Sequence, residues 1–214
     1  VHIPDGLLPA QVCIAGYGIT GLATWYSLRN INRKANPSAD MPKASLLTAA
    51  FFVASSIYVP VPPVSVHLVL NGLLGVILGY FSFPAILIGL CFQALIIGHG
   101  GLTTLGINAA MMGIPALVAY HLFQLRQGLS QQLEPRVRIG VFAFIGGAVG
   151  LGLAVILFLT LVITTLPTGF DVDTEQRAIM TLSIAHIPLA LIEGSFTSVL
   201  ALFLLKVKPE LLEG

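Results

Sequence analysis

The chain opens Val1-His2-Ile3-Pro4-Asp5-Gly6, and a histidine in second position brings three nitrogens within reach of one ion. They are the terminal amine, the His2 amide and the His2 imidazole; chelation through them closes a five-membered and a six-membered ring. If the amide releases its proton, the donor set is nitrogen-rich, nearly coplanar and strong-field, with one corner open. Such a set suits Ni(II) or Cu(II), whereas Mg and Ca want oxygen. The chemistry needs a free amine directly before His2. Val1, or a methionine in its place, serves equally, but an additional residue ahead of it breaks the chelate. The opening has no basic n-region, so it is expected to be a mature start with no cleaved signal peptide. A terminal Xaa-His also arises by chance, so the fourth donor and the scaffold must be sought elsewhere.

The scaffold is apolar. Of 214 residues, 56% are hydrophobic and 9% charged, against roughly 25% charged in soluble domains, and the mean hydropathy is +0.94. Lipid is the expected solvent. A net charge of +1 gives no case for nucleic acid. A membrane-crossing helix needs about 20 mostly apolar residues. That criterion suggests seven spans, at roughly 9–29, 43–59, 66–81, 83–97, 106–125, 138–166 and 177–205, with Pro84 marking a tight hairpin between two short ones. The predicted fold is an all-α polytopic bundle, one integral membrane domain over residues 1–214.

Charge gives the orientation. Arg29, Arg33, Lys34 and Lys43 lie in one connection, Arg126, Arg136 and Arg138 around another, and Lys206 and Lys208 in the tail. Asp171, Asp173 and Glu175 lie between the last two spans. Positive charge marks the cytoplasmic side, which places the N-terminus outside and the C-terminus inside, in a cell inner membrane. The pairs Gly75/Gly79 and Gly146/Gly150 permit close helix approach, either within the subunit or against another. Cys13 and Cys91 lack a CxxC partner and read as free thiols.

Four other histidines fall on this topology. His67 opens the third span at its outer end, with Asn71 four residues on, and His99 lies in the outer loop Gly98-His99-Gly100-Gly101. Both share a membrane face with His2. His121 sits near the inner end of the fifth span, where an interfacial aromatic role suffices. His186 and Glu193 lie two turns apart on one face of the seventh. Ionisable groups at that depth face the bundle interior, as functional groups or as a polar pair that fixes helix packing.

The chain resembles the CbiM/NikM family, the substrate-specific subunits of energy-coupling factor transporters for cobalt and nickel. The residues that carry the resemblance are His2-Ile3-Pro4-Asp5-Gly6, Ser65-Val66-His67-Leu68 with Asn71-Gly72, Gly100-Gly101-Leu102-Thr103-Thr104-Leu105-Gly106-Ile107-Asn108 with Met112-Gly113, His186-Ile187-Pro188 and Glu193-Gly194. Val1 stands where that family usually begins with methionine. The resemblance implies a site formed by the amine of Val1, the amide and imidazole of His2, and His67 as fourth donor. The loop 98–108 then covers the ion, with Asn71, His99, Thr103 and Asn108 as candidates to hydrogen-bond the ligands. It also implies partners: a pair of ATP-binding-cassette ATPases, a transmembrane coupling subunit and a small accessory membrane protein.

The expected function is therefore substrate capture for an ATP-driven nickel or cobalt importer, with a lean to nickel from the planar nitrogen set and a link to cobalamin biosynthesis if cobalt is carried. The ion is cargo, and no cofactor is expected. The chain carries neither a Gly-x-x-x-x-Gly-Lys-[Ser/Thr] loop nor a His-Glu-x-x-His zinc motif, so no enzyme activity is expected of it. The alternatives are a stand-alone secondary transporter, which needs a midplane carboxylate and has only Glu193, and a non-transporting scaffold.

Overall fold

The computed structural model describes residues 2–61, 64–129, 132–165 and 172–212; Val1 and Asp171, both used above, lie outside them. The chain is mostly helical: α1 (Ala10–Ile31), α2 (Met41–Ser55), α3 (Asn71–Leu78), α4 (Ser82–Phe92), α5 (Leu105–Gln124), α6 (Pro135–Thr165) and α7 (Val172–Val207). Among the described residues, four helical stretches are long and apolar enough to cross a membrane: Asn71–Ile97, Leu105–Gln127, Pro135–Thr165 and Ile184–Val207. Large apolar side chains such as Ile14, Leu22, Trp25, Ile163, Val199 and Phe203 stay exposed on the outside of the bundle. Water would not tolerate so wide an apolar surface on a monomer, and a bilayer would.

One element departs from the all-helical expectation. Strands β1 (Tyr58–Val61) and β2 (Val64–His67) form an antiparallel hairpin with Tyr58 opposite His67. Their valines suit a pleated strand, and Pro60 cannot donate to a helix. The second helix therefore stops at Ser55, and the third cannot begin at 66. Between β2 and α3, Leu70 takes a left-handed φ of 53°, which disfavours a branched L-residue by about 1–2 kcal/mol. The carboxylate of Glu193 holds that corner, its oxygens accepting the backbone N–H groups of Val69 and Leu70.

The short pair of helices turns back on itself, but four residues before Pro84. Asn71 donates to the Met112 carbonyl, Gly75 abuts Ala116, Gly79 faces Tyr120, and Phe83 returns to Gly113. Helices α3 and α4 thus run along the same stretch of α5 in opposite directions. The turn sits at Gly79–Phe81, where Gly79 adopts φ 58°. Pro84 lies in the first turn of α4, where its missing N–H removes no hydrogen bond.

The glycine pairs serve packing inside the subunit. A Cβ on Gly72 would strike the backbone of Gly146 and Gly147, and one on Gly150 would strike Gly72. Helices α3 and α6 therefore touch backbone to backbone, and Gly194 of α7 meets Phe144 of α6 in the same way. The main core lies around these contacts, with Phe51, Leu74, Ile86, Met112 and Leu151 fully buried.

Candidate metal centre

The N-terminal arm is tied to the start of α5. Ile3 donates its N–H to Asn108 Oδ1 at 2.9 Å, while Asn108 Nδ2 and Thr104 Oγ1 both donate to the Ile3 carbonyl, at 3.0 and 2.7 Å. The Asn108 carboxamide thus imitates a neighbouring strand. Asp5 holds the turn that leads into the same helix: its carboxylate accepts from the N–H groups of Leu102, Thr103 and Thr104 and from the Thr103 hydroxyl. A negative charge is favoured there by the partial positive charge at a helix N-terminus. The Thr103 hydroxyl, and then the amides, hold the Asp5 pKa below the usual carboxylate range. Gly101 must lack a side chain, because a Cβ would overlap the Asp5 carboxylate. The Ile3 side chain is buried, in an apolar cluster with Leu8, Cys13, Ile107, Met111 and Val162.

Docked in this way, the arm carries His2 to two other imidazoles. The ring centroid of His2 lies 5.0 Å from that of His67 and 4.5 Å from that of His99, and the latter two are 6.1 Å apart. Each ring offers a nitrogen, and the three nitrogens lie within 4.8 Å of one another. His67 closes β2, and its Nδ1 lies 3.1 Å from the Leu68 carbonyl. An oxygen acceptor there requires the proton on Nδ1, leaving the Nε2 lone pair for an ion. His99 is set between Gly98 and Gly100, both at positive φ, and its N–H donates to the Gln93 carbonyl at 3.1 Å.

Burial decides the charge of the cluster. It pushes the His67 pKa down to about 3 and that of His2 well below the usual value, and it lowers that of His99. Near neutral pH the rings are therefore uncharged and ready to bind a cation. The sequence alone places proton competition near pH 6.5, the ordinary histidine value; burial moves the contribution of His67 far lower. The sign for folding follows. Below pH 6.5 the unfolded chain takes up a proton that the folded His67 refuses, so its contribution is complete above 6.5 and is lost as pH falls towards 3, by about 1.4 kcal/mol per pH unit. The melting temperature of the metal-free protein in detergent is expected to be steady above pH 6.5 and to fall steadily below it. A flat profile down to pH 4 would contradict the burial.

The remaining candidates separate. Asn108 and Thr103 hold the arm and its anchor, as described. The helical i, i+4 relation between His67 and Asn71 does not apply, because β2 ends at His67 and α3 begins at Asn71; the Asn71 amide donates to the carbonyls of Met112 and Gly150. Glu193 braces the corner just beyond His67, and His186 is buried on the same helix. His121 stacks with Tyr80 and Tyr120 away from the cluster. Two residues not singled out as site residues matter here: Asp5, through the α5 N-terminus, and Gln93, a buried amide inside an apolar run.

Known proteins show the same pattern over the whole chain. Residues 2–211 match the CbiM model, described as the cobalt uptake substrate-specific transmembrane region. A Haemophilus influenzae protein named for metal transport is 32% identical, with 99% of this chain and 97% of that one covered. A Methanococcus voltae CbiM protein named for cobalt transport is 34% identical, over 100% of this chain and 95% of the relative. The fold matches a crystal structure of a transition metal transporter with a TM-score of 0.79 at 23% identity, covering 97% of this chain and 93% of that one.

Proposed function

The chain belongs to the CbiM family of cobalt uptake substrate-specific transmembrane proteins, and from that premise we propose that it captures Ni(II) or Co(II) at the outer face of a cell inner membrane for an ATP-driven importer. The observation that carries the reading is the convergence of His2, His67 and His99, with ring nitrogens within 4.8 Å of one another. The proposed donors are the His2 imidazole and amide and His67 Nε2, with His99 as a further imidazole. In a mature chain that begins at Val1, its amine completes the chelate. All-nitrogen coordination discriminates against Mg and Ca, and the general order of divalent affinities puts Ni(II) ahead of Co(II) in one site.

Seven membrane crossings, the N-terminus outside and the C-terminus in the cytoplasm, are part of the proposal and rest on the distribution of basic residues. So are the partners: two ATP-binding-cassette ATPases, a transmembrane coupling subunit and a small accessory membrane protein, which supply the energy. A secondary transporter would need Glu193 as an ion-coupling carboxylate, but the Val69 and Leu70 amides engage it.

Isothermal titration of the purified protein with Ni, Co and Mg tests the reading, beside a variant with one extra residue ahead of Val1. Nickel and cobalt are expected to bind one per chain and raise the melting temperature, magnesium to do neither, and the extended variant to bind more weakly. Absence of nickel and cobalt binding would reject the capture role, and equal affinity in the extended variant would reject the amine as a donor.

A further inference from the structure

Gln93 begins a π-helical turn, Gln93–Ile97, that widens the end of the fourth helix; such turns concentrate at functional sites. Its side chain is completely buried, in a setting that dictates which way the amide points. The Ser55 hydroxyl spends its one hydrogen on the Phe51 carbonyl, so Ser55 Oγ can only accept, and it accepts from Gln93 Nε2. The amide oxygen must then face away from α2. That oxygen is buried and makes no hydrogen bond, as are both ring nitrogens of His2. The Gln93 side chain lies close enough to the His2 ring to act on it. Through its main-chain carbonyl the same residue also holds His99.

We propose that Gln93 is the positioning residue for His2: Oε1 accepts the Nε2–H proton of the imidazole and so leaves the Nδ1 lone pair for the ion. The inference rests on the capture reading above, because a chelate that includes the His2 amide closes its six-membered ring only through Nδ1. Such a buried acceptor fixes that tautomer before the ion arrives, as partners of ligating histidines commonly do. Ser55 is the second link: it keeps the amide from flipping and presenting NH2, a donor, to a nitrogen that must itself donate.

Nitrogen-15 NMR of histidine-labelled protein without metal reads the tautomer directly, and metal titration reads its consequence. The unsubstituted protein should show His2 protonated at Nε2 alone. Gln93→Met should give a mixture of tautomers and bind nickel about 10- to 100-fold more weakly, and Gln93→Glu, which keeps an acceptor, should restore the single tautomer. A folded Gln93→Met variant with the original tautomer and affinity overturns the proposal. Should that variant fail to fold, Ser55→Ala gives the same readout: a tautomer mixture supports the role, and an unchanged single tautomer overturns it. If the unsubstituted protein binds no metal, the capture reading fails, while the metal-free tautomer still decides the role of Gln93.

Discussion

Replacing His67 by alanine is expected to weaken nickel and cobalt binding by more than about a hundredfold, beyond the 10- to 100-fold losses typical of outer hydrogen-bonding partners. The ring is buried, with 4% of its surface exposed, and its Nδ1 is tied to the adjacent carbonyl, so no other nitrogen can take the place of Nε2. The substitution removes one neutral donor and spares the hydrogen bonds of Ile3 and Asp5, which run to Leu102, Thr104 and Asn108. Competition titration with a metal indicator gives the affinity, and the melting temperature of the metal-free variant separates lost binding from lost folding. Affinity within a few-fold of the unsubstituted protein would remove His67 from the site.

Asn108→Leu is the second large effect. Leucine has the branching and the side-chain heavy-atom count of asparagine, though it is bulkier, and it neither accepts from the Ile3 N–H nor donates to the Ile3 carbonyl. The carbonyl keeps the Thr104 hydroxyl, but the N–H is stranded in a buried place, at about 1–3 kcal/mol. The arm should then dock only part of the time, and apparent affinity falls in proportion to the docked fraction. A loss of roughly tenfold or more is expected from that penalty, together with faster hydrogen exchange at residues 2–8. Unchanged exchange and affinity would mean that the apolar seat of Ile3 suffices to place His2. The contrast with His67→Ala is informative, since one variant loses a ligand and the other loses the device that delivers one.

Much of the centre could be read from residue types. A second-position histidine is a chelate by its covalent geometry, and His67 follows from the family motif around it. His99 was harder. A Gly-His-Gly-Gly loop has the composition of a solvated turn, and what brings its imidazole inward is a π-helical turn, which has no periodic signature. Asp5 stood in a recognised motif, but its role in holding the turn before α5 depends on amides about a hundred residues away. The β-hairpin was hidden for another reason: its valines satisfy a hydropathy window as well as a helix does, and only the prolines at 60, 62 and 63 argue against a helix there. The turn at Gly79 was misplaced to Pro84 because a proline in the first helical turn looks the same in sequence as one in a loop.

X-ray absorption of the cobalt- or nickel-loaded protein, compared with His67→Ala, tests most directly whether imidazoles surround the ion. The unsubstituted protein should give a first shell of nitrogen with the outer scattering of at least two imidazole rings, and the variant should lose the contribution of one ring. A first shell dominated by oxygen, or ring scattering unaffected by the substitution, would contradict a centre built on His2 and His67.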